Sequence, residues 1–146
     1  MVYLRASLGQ NGGSMIVGIG IDIAEVSRLR EAIERHGDRF LTRVFTPAEI
    51  AYCRSRKNSD ERFAARFAAK EAAMKALGTG WRQGVTWHDL EVANASSGKP
   101  GLKLSGRALE IYRSMGGSNI VLSITHTAAY ALAEVIIEAT PSEPRP

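Results

Sequence analysis

The sequence predicts an α+β fold with an antiparallel-rich sheet packed with helices, and three observations carry that expectation. An early run, Ile16 to Ile23, alternates with a period of two, as a strand does. Two later apolar runs, Asn119 to Thr125 and Tyr130 to Ile137, flank the tight turn Thr125-His126-Thr127-Ala128, as in an antiparallel hairpin. Between them come three helical segments and then strands with another helix inserted, an order that belongs to the α+β class.

In the first strand, Val17, Ile19, Ile21 and Ile23 share one face, which is expected to be the core face. Ile16, Gly18, Gly20 and Asp22 share the other. Glycine inside a strand weakens it and marks close approach of a ligand or another backbone. The second face therefore suggests a floor cleared for something large, with Asp22 as a carboxylate at its rim. The alternative is that Asp22 merely ends the strand and caps the next helix. A dinucleotide fingerprint fits poorly, because its third glycine and its later acidic residue are missing.

Glu25 to Gly37 reads as an amphipathic helix with Val26, Leu29, Ala32 and Ile33 on one face. Arg28 and Arg35 lie on the opposite face, and Arg39 follows Gly37. They form either a solvated basic face or a docking surface for an acidic protein. Thr46-Pro47-Ala48-Glu49 is a capping box with proline at the first helical position. The long helix Glu61 to Leu77 is alanine-rich nearly all round, which argues for burial, and Gly78 stops it. It nevertheless carries Arg66, Lys70, Glu71 and Lys75. An unpaired buried charge is costly, so each needs a partner. Glu71 and Lys75 could pair with each other at i and i+4; Lys70 has no such explanation. Further on, a strand is expected over Val85 to Ala93, a turn over Ser97 to Gly101, a short strand over Leu102 to Leu104 and a helix over Ser105 to Met115. Glu134 interrupts the last strand, and His126 in the hairpin reads either as a turn residue or as part of a site.

The chain has 146 residues, 45% hydrophobic and 23% charged, enough for one domain with one core. Its net charge of +4 permits an acidic partner, whether nucleic acid, a phosphorylated ligand or an acidic protein. One cysteine, Cys53, excludes an internal disulfide and makes a cytoplasmic setting the default. No apolar run approaches a membrane span. Residues 1–14 lack periodicity and read as a leader or cloning remnant before a functional start at Met15, with the folded domain over 15–139 and a proline-rich flexible tail over 140–146.

Two carboxylates, Asp22 and Glu71, without a His or Cys cluster argue against zinc and for magnesium, which takes one or two carboxylates, waters and phosphate oxygens. Arg66, Lys70 and Lys75 would then meet a phosphorylated substrate, and His126 could join them. There is no Walker loop and no clear nucleophile. The residues alone suggest metal-assisted phosphoryl transfer from a nucleotide-like donor to a hydroxyl of the other substrate.

The sequence resembles the holo-[acyl-carrier-protein] synthases, the small class of 4′-phosphopantetheinyl transferases. GIGIDIAEVSR at 18–28 and RFAAKEAAMKALGTG at 66–80 match that family's signatures, and FTPAE at 45–49, GKP at 98–100 and SITH at 123–126 follow in the expected order. The resemblance spans Met15 to about Ala139. It implies the phosphopantetheinyl transferase fold, a homotrimer with sites between protomers, and transfer of phosphopantetheine from coenzyme A to a serine of apo-acyl carrier protein. It implies Mg2+ on Asp22 and Glu71, with Lys75 on the diphosphate as a third catalytic group. Coenzyme A contacts would come from Arg66, Lys70, Lys75, Gly98, Lys99, Pro100 and His126. Arg28, with Arg35 and Arg39 as weaker companions, would meet the acidic carrier protein. Two rivals differ in class. A basic nucleic-acid-binding module lacks stacking aromatics on strands and leaves the carboxylates unexplained. A non-catalytic carrier-binding scaffold would need the basic helix but not Asp22 and Glu71.

Overall fold

Alternation in the first strand runs further than its apolar residues suggest. In a computed structural model, which describes residues 13–141, the strand extends over Met15–Glu25 (β1). The expected leader and tail lie almost entirely outside the described residues. Four helices follow: Val26–His36 (α1), Asp38–Val44 (α2), Pro47–Arg54 (α3) and Ser59–Leu77 (α4). α2 has seven residues and was not expected. It is a continuation of α1 broken at Gly37, whose φ of +54° suits glycine and redirects the chain. The capping box at α3 forms as read: Thr46 Oγ1 accepts from the Glu49 N–H, and Glu49 Oε1 accepts from the Thr46 N–H.

After α4, the expected strand over Val85–Ala93 is shorter. Thr86 and Asp89 cap a single 3-10 turn, Trp87–Asp89, and extended structure covers only Leu90–Asn94 (β2). β2 pairs antiparallel with Pro100–Leu104 (β3), which starts two residues before the expected Leu102, through a turn over residues 95–99. Helix Gly106–Ser114 (α5) leads to Gly117–His126 (β4) and Tyr130–Ala139 (β5). The hairpin β4–β5 is antiparallel, and β1 adds to it, giving the three-stranded order β1-β5-β4. Sheet residues therefore divide between this sheet and the two-stranded β2–β3 ribbon.

α4 lies across the three-stranded sheet and forms the core with it. Ala64, Ala68, Ala72 and Ala76 pack toward Ala131, Ala133, Val135 and Ile137, all buried. A second cluster, Leu41, Val44, Phe45, Cys53 and Phe63, fills the space under α2 and α3. Burial pushes the Cys53 thiol up to about 12, so it is an inert core residue.

The expected faces of β1 are reversed. Ile19, Ile21 and Ile23 are 59%, 55% and 60% exposed, whereas Gly20 and Ala24 are buried. The glycine face meets α4. A side chain at Gly20 would overlap the carbonyl oxygen of Ala72, and one at Gly18 that of Ala76. The floor cleared by the glycines is thus occupied by helix backbone, and the isoleucines are left on the open side of the sheet. There Ile19, Ile136 and Val121 form one cross-strand row, Ile21, Glu134 and Ser123 the next, and Ile23, Leu132 and Thr125 the third. Glu134 does not interrupt β5; its side chain sits on this open face. No helix among the described residues is long and apolar enough to cross a membrane.

Candidate active site

The close seat of α4 on Gly18 and Gly20 has a consequence at Asp22, the next residue on that face. It places the Asp22 carboxylate against the outer side of the helix, where Lys75 projects. Lys75 Nζ donates to Asp22 Oδ1 at 3.2 Å and to the Ile21 carbonyl at 2.9 Å. The Asp22 side chain is only 18% exposed, while that of Lys75 is 54% exposed. Glu71 lies one turn before Lys75 on the same helix. Its carboxyl is raised above the ordinary carboxylate range, chiefly by desolvation, with the Asp22 charge adding to it; the Trp81 hydrogen bond and the Lys75 charge oppose the rise. Two carboxylates from distant parts of the chain are therefore near enough for the charge on Asp22 to act on Glu71. Glu71 and Lys75, which could have paired at i and i+4, do not: Lys75 is engaged by Asp22, and Glu71 Oε1 accepts from the Trp81 indole at 3.2 Å.

Lys70 does not join them. Its ammonium is fully buried on the opposite side of α4, 2.6 Å from Glu49 Oε1, and donates to the carbonyls of Val44 (2.7 Å) and Trp87 (3.2 Å). Desolvation lowers its pKa, and Glu49 counters that. The partner that Lys70 required is thus the capping glutamate of α3, whose Oε2 also accepts from the Val92 N–H. A side chain with no exposure and three acceptors cannot reach a ligand, so the expected coenzyme contact of Lys70 is replaced by a structural ion pair.

Arg66 is placed at a different end. It is 4% exposed, with its guanidinium 3.9 Å from the centre of the Tyr52 ring. Its Nε has no hydrogen-bond partner among the described residues. The Tyr52 hydroxyl accepts from Asn94, which pairs with Pro100 across the β2–β3 ribbon. Arg66 is thereby joined to the Gly98-Lys99-Pro100 turn, where Gly98 at φ +84° lets the chain reverse and the Ala95 N–H donates to the Lys99 carbonyl at 2.8 Å. Arg66 precedes Glu71 by five residues, about 7.5 Å along the helix axis and about 140° around it, so the two leave different sides of α4.

His126 shares the helix-facing side of the sheet with Asp22, but β5 lies between them and the register offsets them by one residue pair. That spacing puts them about 12 Å apart within one chain. His126 Nδ1 is 2.9 Å from Glu61 Oε2.

Arg28, Arg35 and Arg39 are all exposed. Arg28 stands 3.6 Å from Glu25 and lines a groove of about 340 Å³ whose apolar residues include Ile23, Leu29, Ala32, Phe40, Phe67 and Tyr130. Sequence reasoning missed this groove, and also Trp81 and Tyr52. The usable signals were two tryptophans close together after an alanine helix, and a tyrosine on the helix before Arg66.

Residues 18–133 match the model of the 4′-phosphopantetheinyl transferase superfamily. A holo-[acyl-carrier-protein] synthase of Solibacter usitatus is 59% identical over 124 residues, which are 85% of this chain and 99% of that protein. Among solved structures, the holo-[acyl-carrier-protein] synthase of Helicobacter pylori in complex with coenzyme A is similar with a TM-score of 0.72 and 30% identity, covering 82% of this chain and 98% of that one. The Bacillus anthracis synthase in complex with CoA (3′,5′-ADP) gives a TM-score of 0.71 at 38% identity, over 86% of this chain and 99% of that one. The chain belongs to the holo-[acyl-carrier-protein] synthase family of 4′-phosphopantetheinyl transferases.

Proposed function

We propose that this chain transfers the 4′-phosphopantetheine group of coenzyme A to a serine hydroxyl of an apo-acyl carrier protein, releases adenosine 3′,5′-bisphosphate, and uses a magnesium ion held by Asp22 and Glu71. The observation that carries the reading is the meeting of these two carboxylates beside Lys75 at the β1–α4 contact. The donor set suits the ion. No group of three or more His, Cys, Asp or Glu residues capable of holding a metal occurs among the described residues. Two hard carboxylates leave the remaining positions to water and phosphate oxygens, as magnesium prefers. When bound, the ion would neutralise charge on the diphosphate as its P–O bond breaks.

The chain's own residues supply the rest. Lys75, more than half exposed, can turn from Asp22 to the diphosphate and stabilise the departing phosphate. Arg66, stacked on Tyr52 with an unsatisfied Nε, and the 98–100 turn would hold the nucleotide end. His126 would line a coenzyme pocket completed by a neighbouring protomer, since it stands apart from Asp22 in its own chain. The open sheet face supports a homotrimer with sites between protomers: Ile19, Ile21, Ile23 and the 38% exposed Val121 form an apolar patch of the kind that monomers rarely leave uncovered. Arg28 on the rim of the apolar groove, with Arg35 and Arg39 exposed further along the chain, suits an acidic amphipathic helix of the carrier protein.

The test is to incubate the protein with coenzyme A, Mg2+ and apo-carrier protein and weigh the carrier. We expect a gain of one phosphopantetheine group, abolished by chelator and reduced about 100-fold or more in kcat/KM by Glu71→Gln, the loss of roughly 3 kcal/mol of charge stabilisation. No gain in mass would overturn the reading. In sedimentation the wild type should run as a trimer at micromolar concentration and Ile21→Arg as a smaller species; a monomeric wild type would remove the shared sites.

A further inference from the structure

The two carboxylates of the site are held in different ways. Asp22 accepts from a cation, Lys75. Among the described residues, Glu71 accepts only from a neutral donor, the indole N–H of Trp81, on Oε1. The chain has two tryptophans, and both are here. The Trp81 ring lies 3.6 Å from that of Trp87, and the Trp87 ring 5.2 Å from that of Phe67, centre to centre. Phe67 sits one turn before Glu71 on α4, so the helix that carries the carboxylate also anchors the stack that orients the indole. The loop between them folds back tightly. Gly78 and Gly80, both at positive φ, turn residue 81 back toward the helix it has just left, and Gln83 at +61° and Gly84 turn the chain again before Trp87.

We infer that Trp81 is a positioning residue for Glu71: its N–H fixes Oε1, so that Oε2 is turned out to the divalent cation. The inference rests on the metal reading of Asp22 and Glu71. An indole suits this task because it is a donor only and carries no charge to compete with the ion. A lysine or arginine at the same place would repel the cation it is meant to serve. The stack on Trp87 limits the indole to a narrow range of orientations, so the carboxylate is ordered before the ion arrives.

A purely structural role for Trp81 would need the ring but not the N–H. Trp81→Phe separates the two, since it keeps a ring against Trp87 and removes the donor. The measurement is a calorimetric titration of Mg2+ into the full chain saturated with coenzyme A. Trp81→Phe should bind Mg2+ about 10–100-fold more weakly than wild type, the usual effect of losing a group that orients a metal ligand. Trp87→Phe should stay within about threefold. A Trp81→Phe protein with wild-type Mg2+ affinity would overturn the inference while leaving the metal site intact. A wild type that takes up no Mg2+ would overturn the metal reading itself. A second measurement is independent of how well Trp81→Phe folds. In Trp87→Phe, Trp81 is the only tryptophan, and its emission should shift on adding Mg2+ to the coenzyme-saturated protein; unchanged emission at saturating Mg2+ would also overturn the inference.

Discussion

Lys70 and Glu71 are consecutive residues of one helix, and the fold treats their charges in opposite ways. Lys70 is sealed inside, with Glu49 and two carbonyls satisfying its ammonium. Glu71 is left half-buried, with one neutral donor and a proton affinity raised by desolvation. From the sequence both look alike, as charges stranded in alanine. The difference teaches that such a charge has two solutions. It can be fully compensated within the chain, and then it is structure. Or it can be held partly desolvated and undercompensated, and then it is available to a ligand.

The largest expected effect breaks the sealed half. Lys70→Met leaves the Glu49 carboxylate buried without its cation, and removing one partner of a buried pair costs about 3–5 kcal/mol. Urea unfolding should show that loss, and activity should fall only as far as folded protein is lost. Glu71→Gln should do the reverse, with kcat/KM for transfer down about 100-fold or more and the unfolding midpoint at neutral pH preserved or slightly raised. The sign follows from the raised pKa. A carboxyl whose folded-state pKa exceeds its unfolded value contributes stability below the unfolded pKa and loses it as pH rises through the folded one. The stability of wild type relative to Glu71→Gln should therefore decline from pH 4 to pH 7. A Glu71→Gln protein as unstable as Lys70→Met would erase the contrast.

Gly20→Ala attacks the contact that creates the open half. The added methyl would overlap the Ala72 carbonyl, a backbone atom that cannot rotate away. β1 and α4 must separate, at a cost near the upper end of the roughly 1–3 kcal/mol typical of overpacking. Because Asp22 follows on the same face, transfer activity should fall by more than the loss of folded protein. Activity per folded molecule equal to wild type would show that the glycines serve packing alone.

Much of this arrangement was legible in advance. The alternation of β1, the Thr46–Glu49 box, the hairpin and the KEAAMK segment fixed the element order and nominated Asp22, Glu71 and Lys75, the last of which the structure places on Asp22. What period two cannot say is which face a helix covers. Isoleucines look like core, but only the glycines let a helix carbonyl come so near, so the apolar face was left outside. The partner of Lys70 was hidden for a different reason. Glu49 was already explained as a cap, and nothing local reveals that a carboxylate capping one helix also neutralises a lysine on another and accepts from Val92. Trp81 lies in a loop whose return to Glu71 runs through two positive-φ glycines, Gly78 and Gly80, and no periodicity announces it.

The smallest effect concerns a third kind of charge, one neither sealed nor poised. The Arg28 side chain is 77% exposed beside Glu25, so it contributes little to stability and faces solvent. Rim charges of this kind act on encounter more than on the bound state. Arg28→Glu should therefore raise the KM for carrier protein by about 3–10-fold at low salt, with kcat and the KM for coenzyme A unchanged. The difference should shrink as ionic strength approaches 0.5 M, because the Debye length falls toward about 4 Å. If the defect persisted at high salt, Arg28 would be making a desolvated contact in the complex and would belong with Glu71 among the charges held ready for a ligand. If no defect appeared at low salt, the carrier protein would have to approach by another face of the molecule.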